Sequence, residues 1–351
     1  MRWLQSASDD RRCAAGHSGR IVPCTVRAAC IGERVPALAR GRVHSVFERA
    51  CNIETSTGEL VTLLGPELGN VPHGVRLARA IAPFASRLAP GQNVIIDDSA
   101  LRMLEAGITV DLSGAVVWRG AVAAVSMDSC SMHPGGAASA VALGELRATL
   151  VERAPELGIA PLLAARASAR SSIERAFAAR LLHTLPMLAR ATGRRDIPAV
   201  AAAAVRLVGL GPGLTPSGDD FIAGYLAALW SRAGFDGGID AMLPSLADML
   251  TPLFLRTNAI SRQMLSDAAR GRFAEHLIDV TRAIAGLGDV IDATAHALAS
   301  GHSSGADTLC GLLFGYAPDQ AAFAPPHRPA MQALPRAARI ESGAGRSAAI
   351  A

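Results

Sequence analysis

The sequence predicts an α+β fold, in which a small N-terminal β-rich domain precedes a larger all-helical domain with two Gly/Ser loops at helix N-termini. Short β-prone runs separated by turn signals fill the region from about residue 20 to 118. After about residue 136 the composition changes to long stretches of alanine, leucine and arginine with helical spacing. Half of the 351 residues are apolar and 18% are charged, so the chain can bury a sizeable core.

This change of composition divides the chain into four segments. Residues 1–19 contain no hydrophobic run and are expected to form a disordered tail. Residues 20–135 form the predicted β-rich domain, and residues 136–323 form the helical domain that carries the candidate anion site. Residues 324–351 are rich in Pro, Ala, Arg, Gly and Ser without periodicity, which predicts a second disordered tail.

The strands of the β-rich domain are predicted from β-prone runs and turn residues. Two runs, residues 41–53 and 59–64, flank the turn signal Thr57-Gly58. Further short strands are expected at residues 93–96, 108–112 and 115–118.

The helices of the second domain are predicted from the 3.6-residue period of apolar positions. Because alanine is the main apolar residue, these helices depend on close packing. The predicted spans are 137–153, 172–191, 198–208, 218–232, 240–250, 257–270, 272–286, 289–300 and 304–315.

Composition also limits the function classes. The net charge of +4 comes from arginine alone, since the sequence contains no lysine, so neither a Schiff-base lysine nor a P-loop lysine is present. The arginines form no stripe with interleaved aromatic residues, and nucleic-acid binding is not expected. Six cysteines without a C-x-x-C pair indicate free thiols. No apolar stretch reaches the ~18–20 residues of a membrane span, so a cytoplasmic protein without a membrane partner is expected.

The most informative segment runs from Gly209 to Asp220 and reads GLGPGLTPSGDD. Its glycines allow backbone amides to approach a ligand closely, and the N-terminus of the following helix adds a partial positive charge. The segment therefore predicts an anion-binding loop built without lysine. The residues assigned to substrate binding are Gly211, Gly213, Thr215, Ser217, Gly218 and Asp219, and Asp220 is assigned to the catalytic set.

A second segment, Gly301 to Asp307, opens the last predicted helix and repeats this pattern. Both copies read S-G-x-D-x-x-x-G-x-L, with an offset of 87 residues between Ser217 and Ser304. We interpret the repeat as two structurally equivalent corners related by a local pseudo-symmetry. His302 is assigned to proton transfer because it lies within the loop. The residues of this copy assigned to substrate binding are Ser303, Ser304, Gly305 and Asp307.

Helix capping is the alternative interpretation of both serine–aspartate pairs. In a capping box the serine accepts a hydrogen bond from the N3 amide and the N3 side chain bonds back, which requires no ligand. Capping does not explain Gly224 and Gly311, which follow each aspartate by four residues on the same helix face. Glycine at these positions allows another backbone to approach, which favours a site between two helix N-termini.

Supporting polar residues come from the segment Thr257 to Arg262. Asn258 is assigned to substrate binding, and Arg262 is assigned to grip a carboxylate or phosphate, with a solvated surface arginine as the alternative. His73, between a proline and a glycine, is a weaker candidate from the β-rich domain.

These motifs require no cofactor, but they leave open the binding of Mg²⁺. The adjacent carboxylates of Asp219 and Asp220 would offer it oxygen ligands beside a bound phosphate. A favourable interaction of both carboxylates with the helix dipole is the simpler interpretation.

At these residues the chain resembles a bacterial family, the AllH-type subunit of oxamate carbamoyltransferase. The run from Gly209 to Phe221 (GLGPGLTPSGDDF), followed by Gly224, is similar to the signature of that family. The loop from Gly301 to Gly311 and the segment from Thr257 to Gly271 resemble it as well. The resemblance extends over roughly residues 43–315 and is strongest in the second half.

The resemblance implies a role in anaerobic purine (allantoin) catabolism, where oxalurate is phosphorolysed to oxamate and carbamoyl phosphate. It implies a complex of three different subunits and a small anionic substrate such as phosphate, carbamoyl phosphate or an oxamate-like molecule. The S-T-R-T signature of the aspartate and ornithine carbamoyltransferases is absent. Their H-P-x-Q signature is absent as well, because His133-Pro134 is followed by Gly135-Gly136. Neither their fold nor their mechanism is therefore expected.

Three functions from different classes stay open at this point. In the first, the chain is a catalytic carbamoyltransferase subunit. In the second, it is a non-catalytic scaffold whose loops only cap helices while a partner holds the active site. The third is a small-molecule phosphotransferase that uses Asp219 and Asp220 with Mg²⁺, against which the missing lysine counts.

Overall fold

The structure is a computed structural model that describes residues 23–81, 83–122, 140–163, 171–319 and 321–323. Both predicted tails, residues 1–19 and 324–351, lie outside these ranges, as do residues 123–135 of the predicted β-rich domain. Within them, a β-barrel is followed by helices, so the predicted α+β fold is confirmed.

The barrel consists of nine described strands in one sheet, ordered β5-β4-β3-β2-β6-β7-β8-β1-β9 and closed by an antiparallel pairing between β1 and β5. Along β1, buried and more exposed residues alternate, so one face of the strand packs inside the barrel. The strands are β1 Cys24–Gly32, β2 Ala39–Val46, β3 Ala50–Thr55, β4 Leu60–Leu64, β5 Gly74–Leu77, β6 Asn93–Ile96, β7 Ala100–Met103, β8 Ile108–Asp111 and β9 Val116–Trp118.

The strand predictions are confirmed in part. Thr57-Gly58 turns between β3 and β4, and Gly58 has a φ of 80°, which glycine adopts without strain. The run predicted over residues 41–53 is wrong as a single strand, because the chain reverses between β2 and β3. The amide of Phe47 donates to the carbonyl of Ala50 at 2.8 Å, which closes this tight turn.

All nine predicted helices are present within a few residues of their predicted ends, except that the predicted start of the first, residues 137–139, lies outside the described residues. The short helix α2 and a 3-10 helix, Thr251–Arg256, were not predicted from the sequence pattern. The α-helices are α1 Ala140–Arg153, α2 Ala160–Leu163, α3 Ser172–Gly193, α4 Ile197–Ala204, α5 Ser217–Ala233, α6 Gly237–Leu250, α7 Ala259–Ala269, α8 Glu275–Ile284, α9 Val290–Leu298 and α10 Ser304–Tyr316.

Helices α5 and α10 pack against each other at the centre of the helical domain. Residues 217–229 of α5 and 305–315 of α10 are buried on every face, as expected for helices surrounded by other elements. This pair brings together the two loops that precede it in the sequence.

The barrel and the helical domain are joined by polar contacts to α7 and α8. The Glu275 carboxylate accepts hydrogen bonds from the backbone amide and the side-chain amide of Asn70, at 2.8 and 2.9 Å. The backbone amide of Phe273 donates to the carbonyl of Gly120 at 2.7 Å. Helix α7 contacts the barrel as well, because the Gln263 side chain accepts a hydrogen bond from the backbone amide of Leu60 at 3.3 Å. Its N-cap residue, Asn258, contacts the glycine-rich loop by donating to the Leu214 carbonyl.

One described segment, Gly237–Arg256, is long and apolar enough to cross a membrane by length and composition alone. In the fold it comprises α6 and the following 3-10 helix, and its residues Leu243, Leu250 and Phe254 lie in the core of the helical domain.

The cysteine prediction holds at three described positions and fails at one. Cys30, Cys51 and Cys310 are buried free thiols, whereas Cys24 is disulfide-bonded. Spacing along the chain does not identify such a bond, because it depends on the distance between the two residues in the folded protein.

Candidate functional site

The two repeated serines lie in the first turns of α5 and α10, and neither caps its own helix. The N-cap residues are Pro216 and Ser303, and neither makes a side-chain capping hydrogen bond. The capping-box interpretation is therefore wrong for both copies. The hydroxyls of Ser217 and Ser304 are directed to the opposite helix instead.

The serines and aspartates of the two copies are cross-paired. The Ser304 hydroxyl of α10 interacts with the Asp220 carboxyl of α5, and the Ser217 hydroxyl of α5 interacts with the Asp307 carboxyl of α10. Thr215 adds a second hydroxyl at Asp220. Ser303 adds the equivalent hydroxyl at Asp307. The two loops therefore meet at one place, as the predicted pseudo-symmetry requires.

Asp220 is a buried carboxyl without a full hydrogen bond. Both of its carboxylate oxygens are inaccessible to solvent, and neither has a partner of ordinary hydrogen-bond geometry, although the hydroxyls of Ser304 and Thr215 lie close. Burial raises the pKa of Asp220 well above its usual value, the Asp307 charge raises it further, and the two hydroxyls lower it only in part.

Asp307 has one satisfied oxygen and one free oxygen. Its Oδ1 accepts a hydrogen bond from the backbone amide of Ile159 at 2.6 Å, and its Oδ2 is buried without a partner. Burial raises the pKa of Asp307 to about 7, against the lowering effect of Ile159, Ser217 and Ser303. Gly158 lies directly against this carboxylate with a φ of 79°, where a Cβ would overlap it. The sequence carried no signal that this segment belongs to the site.

Asp219 faces away from this pair and is hydrogen-bonded within the protein. Its Oδ1 accepts from the backbone amide of Gly209 at 2.7 Å, and its Oδ2 accepts from the Thr257 hydroxyl at 2.5 Å. Burial raises the pKa of Asp219, while Thr257, Gly209 and Ser261 lower it. These bonds connect the start of the glycine-rich loop to the segment that precedes α7.

The glycines of the repeat allow α5 and α10 to approach each other at equivalent points. A Cβ on Gly224 would overlap the carbonyl oxygen of Thr308, and a Cβ on Gly311 would overlap that of Phe221. Both pairs obey the offset of 87 residues. The repeat in the sequence therefore corresponds to a repeated packing contact.

Gly218 and Gly305 serve a related purpose at the helix starts. A Cβ on Gly218 would overlap the carbonyl oxygen of Leu207, and a Cβ on Gly305 would overlap that of Ala297. Each glycine thus lies buried against the chain that leads into its loop, and neither faces solvent.

The outer part of the first loop is open to solvent. Gly211 and Gly213 both have a φ of 110°, a conformation that favours glycine. Leu214 is 58% exposed. The Asn258 side chain holds this part of the loop, because its Nδ2 donates to the Leu214 carbonyl at 2.7 Å while its Oδ1 caps α7 by accepting from the Ser261 amide at 3.0 Å.

His302 and Arg262 remain available to a ligand in this arrangement. His302 is exposed and precedes Ser303, which contacts the Asp307 carboxyl. Arg262 lies one helical turn after Asn258, is half-buried, and forms no ion pair with any residue that the structure describes.

His73 makes a buried contact between the barrel and the helical domain. Its Nδ1 is 2.9 Å from Oδ2 of Asp267 on α7, and Gln263 lies beside both groups. His73 is only 3% exposed, so it has no direct access to a substrate. The sequence offered Pro72-His73-Gly74 as a signal for this histidine but none for its carboxylate partner.

The described residues contain no group of three or more His, Cys, Asp or Glu side chains placed to hold a metal ion. Asp219 and Asp220, the adjacent pair considered from the sequence, do not face a common point, because successive residues of a helix are separated by roughly 100° around its axis.

Two family models match the chain. The model described as oxamate carbamoyltransferase subunit AllH matches residues 207–316, which contain both loops, α5, α7 and α10. The model described as the AllH family N-terminal domain matches residues 24–117, which form the barrel. Together the two matches extend over more than half of the chain. No solved structure matches the chain.

Proposed function

Since this chain belongs to the AllH family of oxamate carbamoyltransferase subunits, we propose that its two loops bind the small anionic substrate of carbamoyl transfer. The reaction is the phosphorolysis of oxalurate to oxamate and carbamoyl phosphate, carried out with the other subunits of the complex. The substrates and products are all small anions, the ligand class that glycine-rich loops at helix N-termini bind.

The cross-pairing of the two copies is the observation that carries this proposal. Ser217 reaches Asp307, and Ser304 reaches Asp220, so a ligand bound at one loop is within reach of the other. The amides around Gly211 and Gly213 lie in the outer, accessible part of the first loop. They provide donors for phosphate and for the negative charge that develops on the carbamoyl oxygen, an effect worth about 3–4 kcal/mol per donor.

The reaction requires one bond to form, one to break and one proton to move. A phosphate oxygen attacks the carbamoyl carbon of oxalurate, and the bond from that carbon to the oxamate nitrogen breaks. The proton of hydrogen phosphate moves to the leaving nitrogen. In our proposal His302 carries this proton, and Arg262 grips the carboxylate of the oxamate portion.

Asp220 is the third member of the proposed catalytic set. Its carboxyl lies beneath both loops, next to the hydroxyls of Thr215 and Ser304, and therefore at the floor of the proposed substrate site. A bare negative charge at this position would repel an anionic substrate, so a counter-charge or a proton is required when the substrate binds.

The observations favour the carbamoyltransferase over the phosphotransferase. The phosphotransferase would use Asp219 together with Asp220, but both oxygens of Asp219 already accept hydrogen bonds from Gly209 and Thr257. The scaffold alternative assumed that the serines of both loops cap their helices, and neither serine does so.

A thermal-shift experiment on the purified full chain tests ligand binding. We expect phosphate and carbamoyl phosphate to raise the melting temperature, because a ligand that binds only the folded state stabilises it. ATP with Mg²⁺ serves as the comparison for the phosphotransferase. Stabilisation that appears only after the partner subunits are added would place the substrate site on a partner and contradict the proposal.

The histidine is tested in the reconstituted complex. We expect His302→Ala to lower turnover by roughly 10²–10⁴-fold, the usual contribution of a general acid or base, without a change in subunit assembly. The matched control is His44→Ala, since His44 is also exposed but lies on β2 of the barrel. Normal turnover of the His302→Ala complex would remove this histidine from the mechanism.

A further inference from the structure

The floor of the loop site contains three buried carboxylate oxygens without a hydrogen-bond partner of ordinary geometry, although serine and threonine hydroxyls lie close to both carboxyls. Two belong to Asp220 and one, Oδ2, belongs to Asp307. Both residues are 0% exposed. Each lies in the first turn of its helix, and the cross-paired serines bring the two first turns together. Unpartnered buried oxygens of this kind are rare in folded proteins and point to a missing ligand.

The negative charge of these two carboxylates has no counter-charge among the described side chains. Among the residues that the structure describes, no arginine or histidine forms an ion pair with Asp220 or Asp307, and the sequence contains no lysine. Two neighbouring carboxylates in a buried site cannot both keep their charge without a counter-charge. Either protons or a cation must therefore neutralise them.

The donor set is made of oxygen atoms only, which selects the kind of cation. Besides the carboxylates it contains the hydroxyls of Thr215 and Ser304 near Asp220, and those of Ser217 and Ser303 near Asp307. Hard divalent cations prefer oxygen ligands, whereas softer metals require histidine or cysteine. We propose that a divalent cation of the Mg²⁺ class binds between Asp220 and Asp307, held by these two carboxylates and the surrounding hydroxyls.

This site differs from the adjacent pair that the sequence suggested. Asp219 is excluded by its own hydrogen bonds to Gly209 and Thr257, and Asp307, 87 residues beyond Asp220, takes its place. Thr215, Ser303 and Ser304, whose hydroxyls lie near the carboxylates, are only half-buried.

Two carboxylates leave several coordination positions of the cation free. Mg²⁺ is usually bound by one or two carboxylates and completes its coordination with water and substrate phosphate oxygens. The cation would therefore neutralise the floor of the site and attract the phosphate group. This link to phosphate rests on the proposed function, whereas the binding of the cation itself does not.

Titration of the EDTA-treated full chain with MnCl₂ tests the site, because bound Mn²⁺ loses the sharp EPR signal of the free ion. We expect one Mn²⁺ to bind per chain and Mg²⁺ to displace it. Asp220→Asn and Asp307→Asn should each weaken Mn²⁺ binding by roughly 10- to 100-fold or more, as expected when a group that supports a metal site is lost.

Asp289→Asn is the matched control. Asp289 is also an aspartate at the start of a helix, but it caps α9, and asparagine is an equally good N-cap residue. We expect this variant to bind Mn²⁺ as the unsubstituted protein does. Circular dichroism of each variant checks that it is folded, and the titration of the unsubstituted chain does not depend on any variant.

The outcomes separate the cation site from the proposed function. Absence of Mn²⁺ binding to the unsubstituted chain at millimolar concentration, or binding that both Asn substitutions leave unchanged, would overturn the cation site. Phosphate stabilisation without bound metal would leave the proposed function intact in that case. Mn²⁺ binding that the two substitutions abolish would support the site even if phosphate failed to stabilise the chain.

Discussion

The carboxyl of Asp307 lies beneath the two loops. Its burial makes the stability of the folded protein depend on pH. Burial raises its pKa from 3.8 to about 7 in the folded protein. Between these values the folded state holds a proton that the unfolded state releases. The stabilisation by this proton is therefore complete below about pH 4 and is lost as the pH rises through about 7.

We expect Asp307→Asn to flatten the pH dependence of stability of the metal-free protein. Without the substitution, the free energy of unfolding should fall between about pH 4 and 7, by at most about 4 kcal/mol from this group. The asparagine variant should lose less over the same range because it has no proton to release. Urea unfolding in EDTA at several pH values measures this, and an equal slope in both proteins would contradict it.

Residue types alone located both corners of the candidate site but not the contacts between them. The repeated Ser-Gly-x-Asp pattern indicated both corners, and the structure brings Ser217, Ser304, Asp220 and Asp307 together. The pattern did not indicate that each serine pairs with the other copy's aspartate. That pairing depends on how two helices cross, which no local sequence signal contains.

Close packing of α5 against α10 is the main interaction at the scale of secondary-structure elements. Gly224 and Gly311 permit it, because each faces a backbone carbonyl of the other helix. Both helices are buried on every side at this point, so neither can shift without disturbing further neighbours. The contact fixes the separation of the two loops.

We expect Gly311→Ala to destabilise the protein by about 3 kcal/mol or more, because its Cβ would overlap the carbonyl oxygen of Phe221 and push the helices apart. The matched control is Gly144→Ala in α1, where a Cβ would meet nothing. That variant should be stabilised by roughly 0.5–1 kcal/mol through higher helix propensity. Chemical denaturation compares both, and similar effects of the two substitutions would argue against the close contact.

The existence of the main helices was predictable and their limits were less so, whereas the strands β1, β5 and β7 were not predicted individually. The helical period located nine helices, including α5 and α10, because their apolar spacing is long and regular. The run at residues 41–53 was not resolved into β2 and β3, since both sides of the tight turn have β-prone residues. The short helix α2, which begins directly after Ile159, has too few residues to show a helical period of apolar positions.

Contact between the barrel and the helical domain decides the arrangement of the whole molecule. His73 from the barrel and Asp267 from α7 form a buried pair at 2.9 Å. The opposite end of α7 carries Asn258, which holds the glycine-rich loop. One helix therefore contacts both the barrel and the candidate site.

A double-mutant cycle with His73→Ala and Asp267→Ala measures this contact. We expect a coupling energy of about 1–3 kcal/mol, because removing one partner leaves the other buried without its hydrogen bond. The comparison pair is Arg49 and Glu67, which lie 3.9 Å apart with both side chains exposed, and no measurable coupling is expected there. Coupling energies of equal size in the two cycles would contradict the structural role of His73.

The sequence by itself determined the fold class, the number and type of the main helices, the family and the two loops. These properties follow from periodicity, glycine and proline positions and a long motif, all of which are local along the chain. Only the tertiary structure decided that Asp307, which is distant in the sequence, lies beside the carboxyl of Asp220. It also decided that the Ile159 amide donates to Asp307 and that His73 pairs with Asp267. Each of these contacts joins residues far apart in the sequence, and it arises from the packing of helices against each other and against the barrel.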